Sequence, residues 1–277
     1  MLHPFFDSRR PVVFAHRGGG ALAPENTLAA FANGIALGAD GFELDVHLSR
    51  DGLVVVHHDR TLDRTTTLGG EVAARSADEL RRADVPTLAE VLKAHPDVRV
   101  IVELKVHSVE MAAAVVDVAR RADAVDRVCV GSYGTRVLRA VRSFEPALAT
   151  SASREEVRWA LYRSWIPVGS GRFGSSRGAG GAGRAGGSVG LDRSRWSRAS
   201  VRRKYDGFQI PESAGPTRVV SRRFIDFAHD RGLGVQVWTV DTEHDARRLI
   251  EWGVDGLITD RPDIIVPIVR EKRISAL

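Results

Sequence analysis

Cysteine is nearly missing from this chain. Cys129 stands alone, so no internal disulfide can form, and a reducing, cytoplasmic setting is the simplest expectation. It lies in the apolar run Arg127-Val128-Cys129-Val130 and reads as a small core residue, since thiols are often buried as plain apolar groups. Long hydrophobic runs are missing too. No stretch approaches the roughly 20 apolar residues of a membrane-spanning helix, so no transmembrane segment is expected. The first residues lack a basic stretch followed by a long apolar one, so no signal peptide is expected. Acidic residues are almost absent from 163–204, where ten Arg and Lys face Asp192 alone. That stretch carries +9 of a net +5, leaving −4 on the rest. The basic balance is therefore local and says little about partners of the whole chain.

What is present is a regular alternation. With 277 residues, 43% of them hydrophobic, the chain can bury one large core, and a single domain over 1–277 is expected. Strand-like runs occur at 12–15, 41–46, 98–104, 128–131, 147–150, 207–210, 234–240 and 256–259. Helical spacing of apolar residues occurs at 27–37, 108–122, 136–144, 218–230 and 243–252. Eight strands alternating with helices predict a parallel α/β fold closed as a (β/α)₈ TIM barrel, which typically runs about 250 residues. A ninth run, 53–58, follows after the short link Ser49-Arg50-Asp51-Gly52. A parallel neighbour needs a crossover of a dozen or more residues, and Asp-Gly is a hairpin signal. This run is therefore expected to fold back antiparallel on the second strand, placing His58 across from Glu43. Residues 168–190 are mostly Gly, Ser, Ala and Arg. They lack the apolar content to offset the entropy of ordering, and a flexible excursion is expected there. The run 193–204 reads as a helix or as irregular chain.

Alternation along strands puts Glu43 and Asp45 on one face, with Phe42, Leu44 and Val46 toward the helices. By the same parity Glu103 and Lys105 share a face. Carboxylates projecting into a barrel are costly unless something positive sits among them. Glu43, Asp45 and Glu103 at the strand ends make an oxygen-ligand set for Mg²⁺ or Ca²⁺. The other reading is a metal-free network of ion pairs with Arg17 and Lys105. His16 ends the first strand, ahead of Arg17-Gly18-Gly19-Gly20, and His58 ends the hairpin strand. Two imidazoles suit acid–base work on a phosphodiester, one taking a proton from the attacking oxygen and the other returning one to the leaving alkoxide. Arg17 and the metal would hold the phosphoryl oxygens. His57 faces away from His58 and reads as non-catalytic. His3, His47, His95, His107, His229 and His244 read as solvated or structural. In Pro24-Glu25-Asn26-Thr27, Asn26 or Thr27 reads as a helix cap. Glu25 reads as a support for the metal or for His16.

These residues together resemble the glycerophosphodiester phosphodiesterase family. The resemblance runs through His16-Arg17-Gly18, Pro24-Glu25-Asn26-Thr27, the strand from Gly38 to Val46, Asp51-Gly52, His58-Asp59 and Leu62-Asp63-Arg64-Thr65-Thr66. It continues through residues 86–92, Val102-Glu103-Leu104-Lys105, Val237-Trp238-Thr239-Val240-Asp241 and residues 253–262. It implies a TIM barrel that hydrolyses glycerophosphodiesters to sn-glycerol 3-phosphate and an alcohol. It implies a divalent cation on Glu43, Asp45 and Glu103, a catalytic pair His16 and His58, phosphate contacts from Arg17 and Lys105, and Trp238 in the pocket wall. In related barrels a neighbouring substrate hydroxyl attacks first and gives a cyclic phosphate. Gly131-Ser132-Tyr133 stands where the family commonly has Ser-Phe, and Asp241 stands where it commonly has Asn. The Gly/Arg-rich stretch is outside the family pattern.

Three other readings compete. A lysophospholipase D-like enzyme would use the same groups with a more apolar pocket mouth. A non-catalytic barrel would have lost a histidine or a carboxylate, and none of the matched positions is lost. The Arg/Gly stretch could add weak, salt-dependent contact with an anionic surface, but no nucleic-acid partner is required. Oligomeric state has no signature here.

Overall fold

The computed structural model describes residues 3–8, 10–166 and 204–274. The expected excursion at 168–190 and the run 193–203 lie outside them. Eight parallel strands form the barrel: β1 (Val12–His16), β2 (Gly41–Leu48), β4 (Arg99–Leu104), β5 (Val128–Gly131), β6 (Ala149–Thr150), β7 (Gly207–Pro211), β10 (Gly234–Trp238) and β11 (Gly256–Thr259). Their order is β6-β5-β4-β2-β1-β11-β10-β7. The ring closes between β6 and β7 through a parallel bridge of Ser151 with Gly207. Hydrogen bonds of 2.9 Å from Ala152 N to Gly207 O and from Asp206 N to Thr150 O reinforce it.

Helices wrap the outside: α1 (Leu28–Ala36), α3 (Leu88–Ala94), α4 (Val109–Arg121), α5 (Thr135–Phe144), α6 (Arg154–Trp165), α7 (Arg222–His229), α8 (Glu243–Trp252) and α9 (Pro262–Ile274). A short α2 (Ala77–Arg81) lies in the connection between β2 and β4. Polar side chains start most of them by accepting an otherwise orphaned N–H. Ser76, Thr87 and Ser153 each form a reciprocal capping box with the Glu three residues on. Thr27 caps α1.

Strand parity sorts the side chains. Val13, Ala15, Phe42, Leu44, Val46, Val100 and Val102 face the helices and bury there. Val12, Phe14, Ile101, Cys129, Ala149 and Ile258 face inward and form an apolar floor with Phe5 and Phe6. Phe5 stacks on Phe14 with ring centroids 5.8 Å apart. Phe6 fits because β7 and β10 begin with glycine. A Cβ on Gly207 or Gly234 would come within 2.5 or 2.6 Å of its ring. Cys129 is fully buried in this floor. Going up the barrel the inward residues turn polar: Gln209 and Gln236, hydrogen-bonded at 3.0 Å, then the charged groups at the strand ends. The floor thus excludes water below and leaves the C-terminal mouth as the place for chemistry.

Three local expectations are revised. The hairpin strand β3 (Val54–Val56) pairs antiparallel with β2, but Val46 lies opposite Val56. His57 N donates to Asp45 O at 2.9 Å, so His58 is one position away from the expected register opposite Glu43. The turn is the reason: Ser49 N donates to Leu53 O, leaving three residues at the tip, and Gly52 takes the left-handed φ of +79°. The expected helix 218–230 begins later. A small hairpin of β8 (Ser213–Ala214) and β9 (Thr217–Arg218) takes its first residue, and Ser221 caps α7 by accepting from Phe224 N at 3.2 Å. The strand expected at 147–150 shrinks to two residues at the barrel closure.

Candidate active site

The mouth of the barrel opens into a cavity of about 850 Å³ whose wall includes His16, Arg17, Glu43, Asp45, His58, Glu103, Lys105 and Trp238. Of the predicted site residues only Glu25 stands behind the wall. β1 delivers His16 by parity above Phe14, β2 delivers Glu43 and Asp45, and β4 delivers Glu103 with Lys105 just past its end. Gly131 on β5 makes room for Glu103, since a Cβ there would meet Glu103 Oε2 at 2.5 Å.

Each predicted catalytic histidine is held at Nδ1 by a carboxylate. His16 Nδ1 lies 2.8 Å from Asp260 Oδ1, and His58 Nδ1 lies 2.6 Å from Asp59 Oδ1. An ionised carboxylate only accepts, so each Nδ1 carries the proton and Nε2 is left for other work. Asp260 is itself fixed, because Asp241 Oδ1 accepts from Asp260 N at 2.8 Å and from Thr259 Oγ1 at 3.0 Å. The departure from the common Asn at 241 thus keeps the acceptor. Burial disfavours a charged His16, but Asp260 and Glu43 outweigh it and raise its pKa. Burial wins at His58, whose pKa falls despite Asp59. His47 Nε2 and His57 Nε2 donate to the carbonyls of His58 and Thr61 at 3.2 and 3.0 Å. They pin the segment that carries His58.

The cations form a second set. Lys105 Nζ sits 2.8 Å from Asp45 Oδ1. Arg17 Nε is 3.4 Å from Asp45 Oδ2 but is buried without a hydrogen-bond partner among the described residues. Arg17 Nη1 donates to Glu25 Oε1 at 3.1 Å. Glu25 also takes a two-pronged bond from Arg64 at 3.0 and 2.6 Å. Arg64 Nε reaches Asp59 Oδ2 at 2.6 Å. Glu25 therefore supports Arg17 and, through Arg64 and Asp59, the His58 side; its partners are these arginines rather than His16. Asn26 is a site residue that composition does not flag. It adopts φ +59°, which Asn tolerates better than most residues, and its amide donates to Asp45 Oδ2 at 2.9 Å.

Among the described residues no three His, Cys, Asp or Glu side chains are gathered tightly enough to hold a metal ion. Glu43, Asp45 and Glu103 share the cavity wall without closing on one point, and Lys105 occupies one oxygen of Asp45. The donors nevertheless fit a hard cation. All three are carboxylates, and the Glu103 side chain has Lys105 as its nearby cation without a hydrogen bond or ion pair to it among the described residues. Burial, helped by Asp45, pushes Glu43 up to about 7. Burial pushes Glu103 up to about 8, with Lys105 opposing and the other two carboxylates adding. Buried carboxylates in this state need either a proton or a positive partner. Burial also works against an ionised Asp45, but Lys105 and Asn26 hold its pKa below the usual value.

Comparison with known proteins gives the family and the fold. The glycerophosphoryl diester phosphodiesterase family model matches residues 16–168 and 187–264. A glycerophosphodiester phosphodiesterase of Caldanaerobacter subterraneus subsp. tengcongensis is 29% identical, over 95% of this chain and 99% of its own. A probable glycerophosphodiester phosphodiesterase 2 of Mycobacterium tuberculosis is 30% identical, over 92% of this chain and 89% of its own. Two solved structures share the fold. A putative glycerophosphoryl diester phosphodiesterase of Silicibacter pomeroyi superimposes with a TM-score of 0.71 at 24% identity, covering 99% of both chains. An Oleispira antarctica phosphodiesterase, solved with its product sn-glycerol-3-phosphate, gives 0.69 at 24% identity, over 94% of this chain and 97% of its own. No helix among the described residues is long and apolar enough to cross a membrane. Signature, barrel and cavity converge: the chain belongs to the glycerophosphoryl diester phosphodiesterase family.

Proposed function

We propose that this enzyme hydrolyses glycerophosphodiesters to sn-glycerol 3-phosphate and an alcohol, with His16 and His58 as its acid–base pair and a divalent cation as cofactor. The observation that carries this reading is the pair of carboxylate-anchored imidazoles in one cavity wall with Arg17 and Lys105. Anchoring at Nδ1 orients each Nε2, so one imidazole can take a proton from the attacking oxygen and the other can protonate the leaving alkoxide. Arg17, with a buried donor to spare, and Lys105 bind phosphoryl oxygens and offset their charge. Trp238 walls the cavity beside them. Glu43, Asp45 and Glu103 are the side chains that would hold Mg²⁺ or Ca²⁺, whose charge would stabilise the phosphoryl oxygens when bound.

The test is a coupled assay for glycerol 3-phosphate release from glycerophosphocholine, with and without chelator, on wild type and on His16→Ala. Chelator and substitution are each expected to abolish release; persistent activity in His16→Ala would remove that residue from the mechanism. The cation is tested separately by melting the chelated protein with added Mg²⁺ or Ca²⁺. Saturation about a hundredfold above Kd adds about 2.7 kcal/mol of stability. The Glu43→Gln/Glu103→Gln variant is expected to lose that gain.

A further inference from the structure

The cavity wall carries two cations besides Arg17 and Lys105. Arg154 and Arg158, one turn apart on α6, line the same cavity. Both are exposed, so they stand at its rim. Cations on a helix ordinarily meet an acidic side chain three or four residues away. Here the acids of α6 are drawn off. Glu155 Oε2 accepts from Thr135 Oγ1 of α5 at 2.9 Å. Glu156 takes a two-pronged bond from Arg142 at 2.9 and 3.1 Å and accepts from Ser153 N at 2.9 Å. Neither the Arg154 nor the Arg158 guanidinium has a hydrogen bond or ion pair among the described residues. Arg154 is also the first residue of α6, where a positive charge opposes the helix dipole. It gains nothing for the helix there, and a local rule broken beside a ligand cavity points to the ligand. Tyr133 ties the pair to the catalytic end. Burial and the Glu103 charge raise its pKa, while Lys105 and Arg154 hold it down. One phenol within reach of all three charges places Arg154 near the reacting groups.

We infer that Arg154 and Arg158 form a second anion subsite, which selects glycerophosphodiesters whose leaving alcohol carries a phosphate monoester. The inference rests on the hydrolytic function proposed above and adds the class of the leaving alcohol. The reacting diester meets Arg17 and Lys105. The terminal phosphate meets two planar guanidinium forks, whose donors match phosphate oxygens in pairs. In the reaction the bond from phosphorus to the alcohol oxygen breaks and a water oxygen bonds to phosphorus. One water proton ends on the leaving alkoxide, and the other stays on glycerol phosphate or passes to solvent. The alcohol departs with its terminal phosphate intact.

The test compares synthetic glycerophosphodiesters that share a hexyl leaving alcohol ending in a hydroxyl, a carboxylate or a phosphate. Hydrogen bonds to charged groups are the strong ones, and two exposed arginines realise the lower part of their range, so kcat/KM is expected to be about tenfold higher for the phosphate than for the hydroxyl and about threefold higher for the carboxylate. Arg154→Gln/Arg158→Gln is expected to bring both ratios to about one, and Arg154→Lys/Arg158→Lys to keep part of each. Both positions are exposed, so folding is not at stake. The preference should shrink as salt is raised. A ratio near one in wild type, an unchanged ratio in the glutamine variant, or a carboxylate preferred to the phosphate overturns the inference. Binding separates the two readings. Hexane-1,6-diol bisphosphate has no diester to cleave, and calorimetric titration is expected to find it about tenfold tighter than hexyl phosphate in wild type and not in the glutamine variant. Glycerol 3-phosphate released equally well from all three diesters sinks the subsite and leaves the hydrolase standing. An arginine-dependent preference for the bisphosphate with no release from any diester sinks the hydrolase and leaves the subsite.

Discussion

Asp260 shows what a residue contributes without meeting substrate. Its carboxylate fixes the His16 tautomer, and Asp241 holds the backbone that carries it by accepting from Asp260 N. Asp260→Asn keeps the shape but can offer its amide to Nδ1, which favours the tautomer with the wrong nitrogen protonated. Acid–base assistance is typically worth 10²–10⁴-fold. We expect kcat to fall by about that range with KM within about threefold. Asp260→Glu should recover part of the loss. A purely structural role would instead lower the melting temperature and leave kcat of the folded fraction intact. That Glu43 shares a face with Asp45, and Glu103 with Lys105, was legible from parity, because alternation along a strand fixes which side chains share a face; His16 was marked by ending the first strand ahead of three glycines. Asp260 was not, since it meets His16 across 244 residues of chain. Asp59 was adjacent to His58 yet unassigned, because parity applies only inside a strand and β3 ends at Val56.

Elements were legible to different degrees for a similar reason. Helices α1, α4, α5, α7 and α8 announced themselves by apolar spacing, and α9 with its internal Pro267 did not; α3 and α6 carry short or mixed apolar faces and also went unassigned. Their starts were written locally all the same, as Thr87-x-x-Glu90 and Ser153-x-x-Glu156. Ser153 is fully buried, accepts from Glu156 N, and meets Thr135 Oγ1 at 2.8 Å. Ser153→Ala therefore loses a cap worth about 1 kcal/mol, and the melting midpoint should drop by about 2–4 °C. An unchanged melt would mean that α6 does not depend on its cap. The end of α7 gives a pH-dependent counterpart. His229 Nε2 lies 2.8 Å from Asp255 Oδ2, which also accepts from Val235 N at 2.7 Å. The hydrogen bond to Asp255 raises the His229 pKa, against burial. A raised folded pKa stabilises fully below the unfolded value of about 6.5 and loses that contribution as pH rises through the folded one. His229 is 38% exposed, so screening limits the effect to about 0.5 kcal/mol. His229→Gln should be less stable than wild type at about pH 5.5 and equal to it at about pH 9. A gap that widens with pH would refute the assignment.

At the scale of the whole molecule the barrel divides into a dry floor and a charged mouth, and the first residues of the chain build the floor. Eight strands and their closure were foreseeable from the count of βα units. The plug was not, because Phe5 and Phe6 precede the first strand and show no periodicity. Only the fold places glycine at the start of two distant staves to receive a ring. Phe6 is 2% exposed and packs edge-on to Phe5 at 5.2 Å. Phe6→Ala leaves a cavity between β7 and β10 that the rigid strand starts cannot collapse into, at a cost of about 3–5 kcal/mol. The loss should appear as a melting midpoint lowered by several degrees, and apolar solutes such as xenon should bind the cavity and recover part of it. Since the plug lies at the opposite end from His16 and Lys105, kcat of the folded variant should stay within about twofold. A large loss of kcat without loss of stability would mean that floor and mouth are coupled through the strands, and that the barrel is not the rigid frame on which the site's geometry depends.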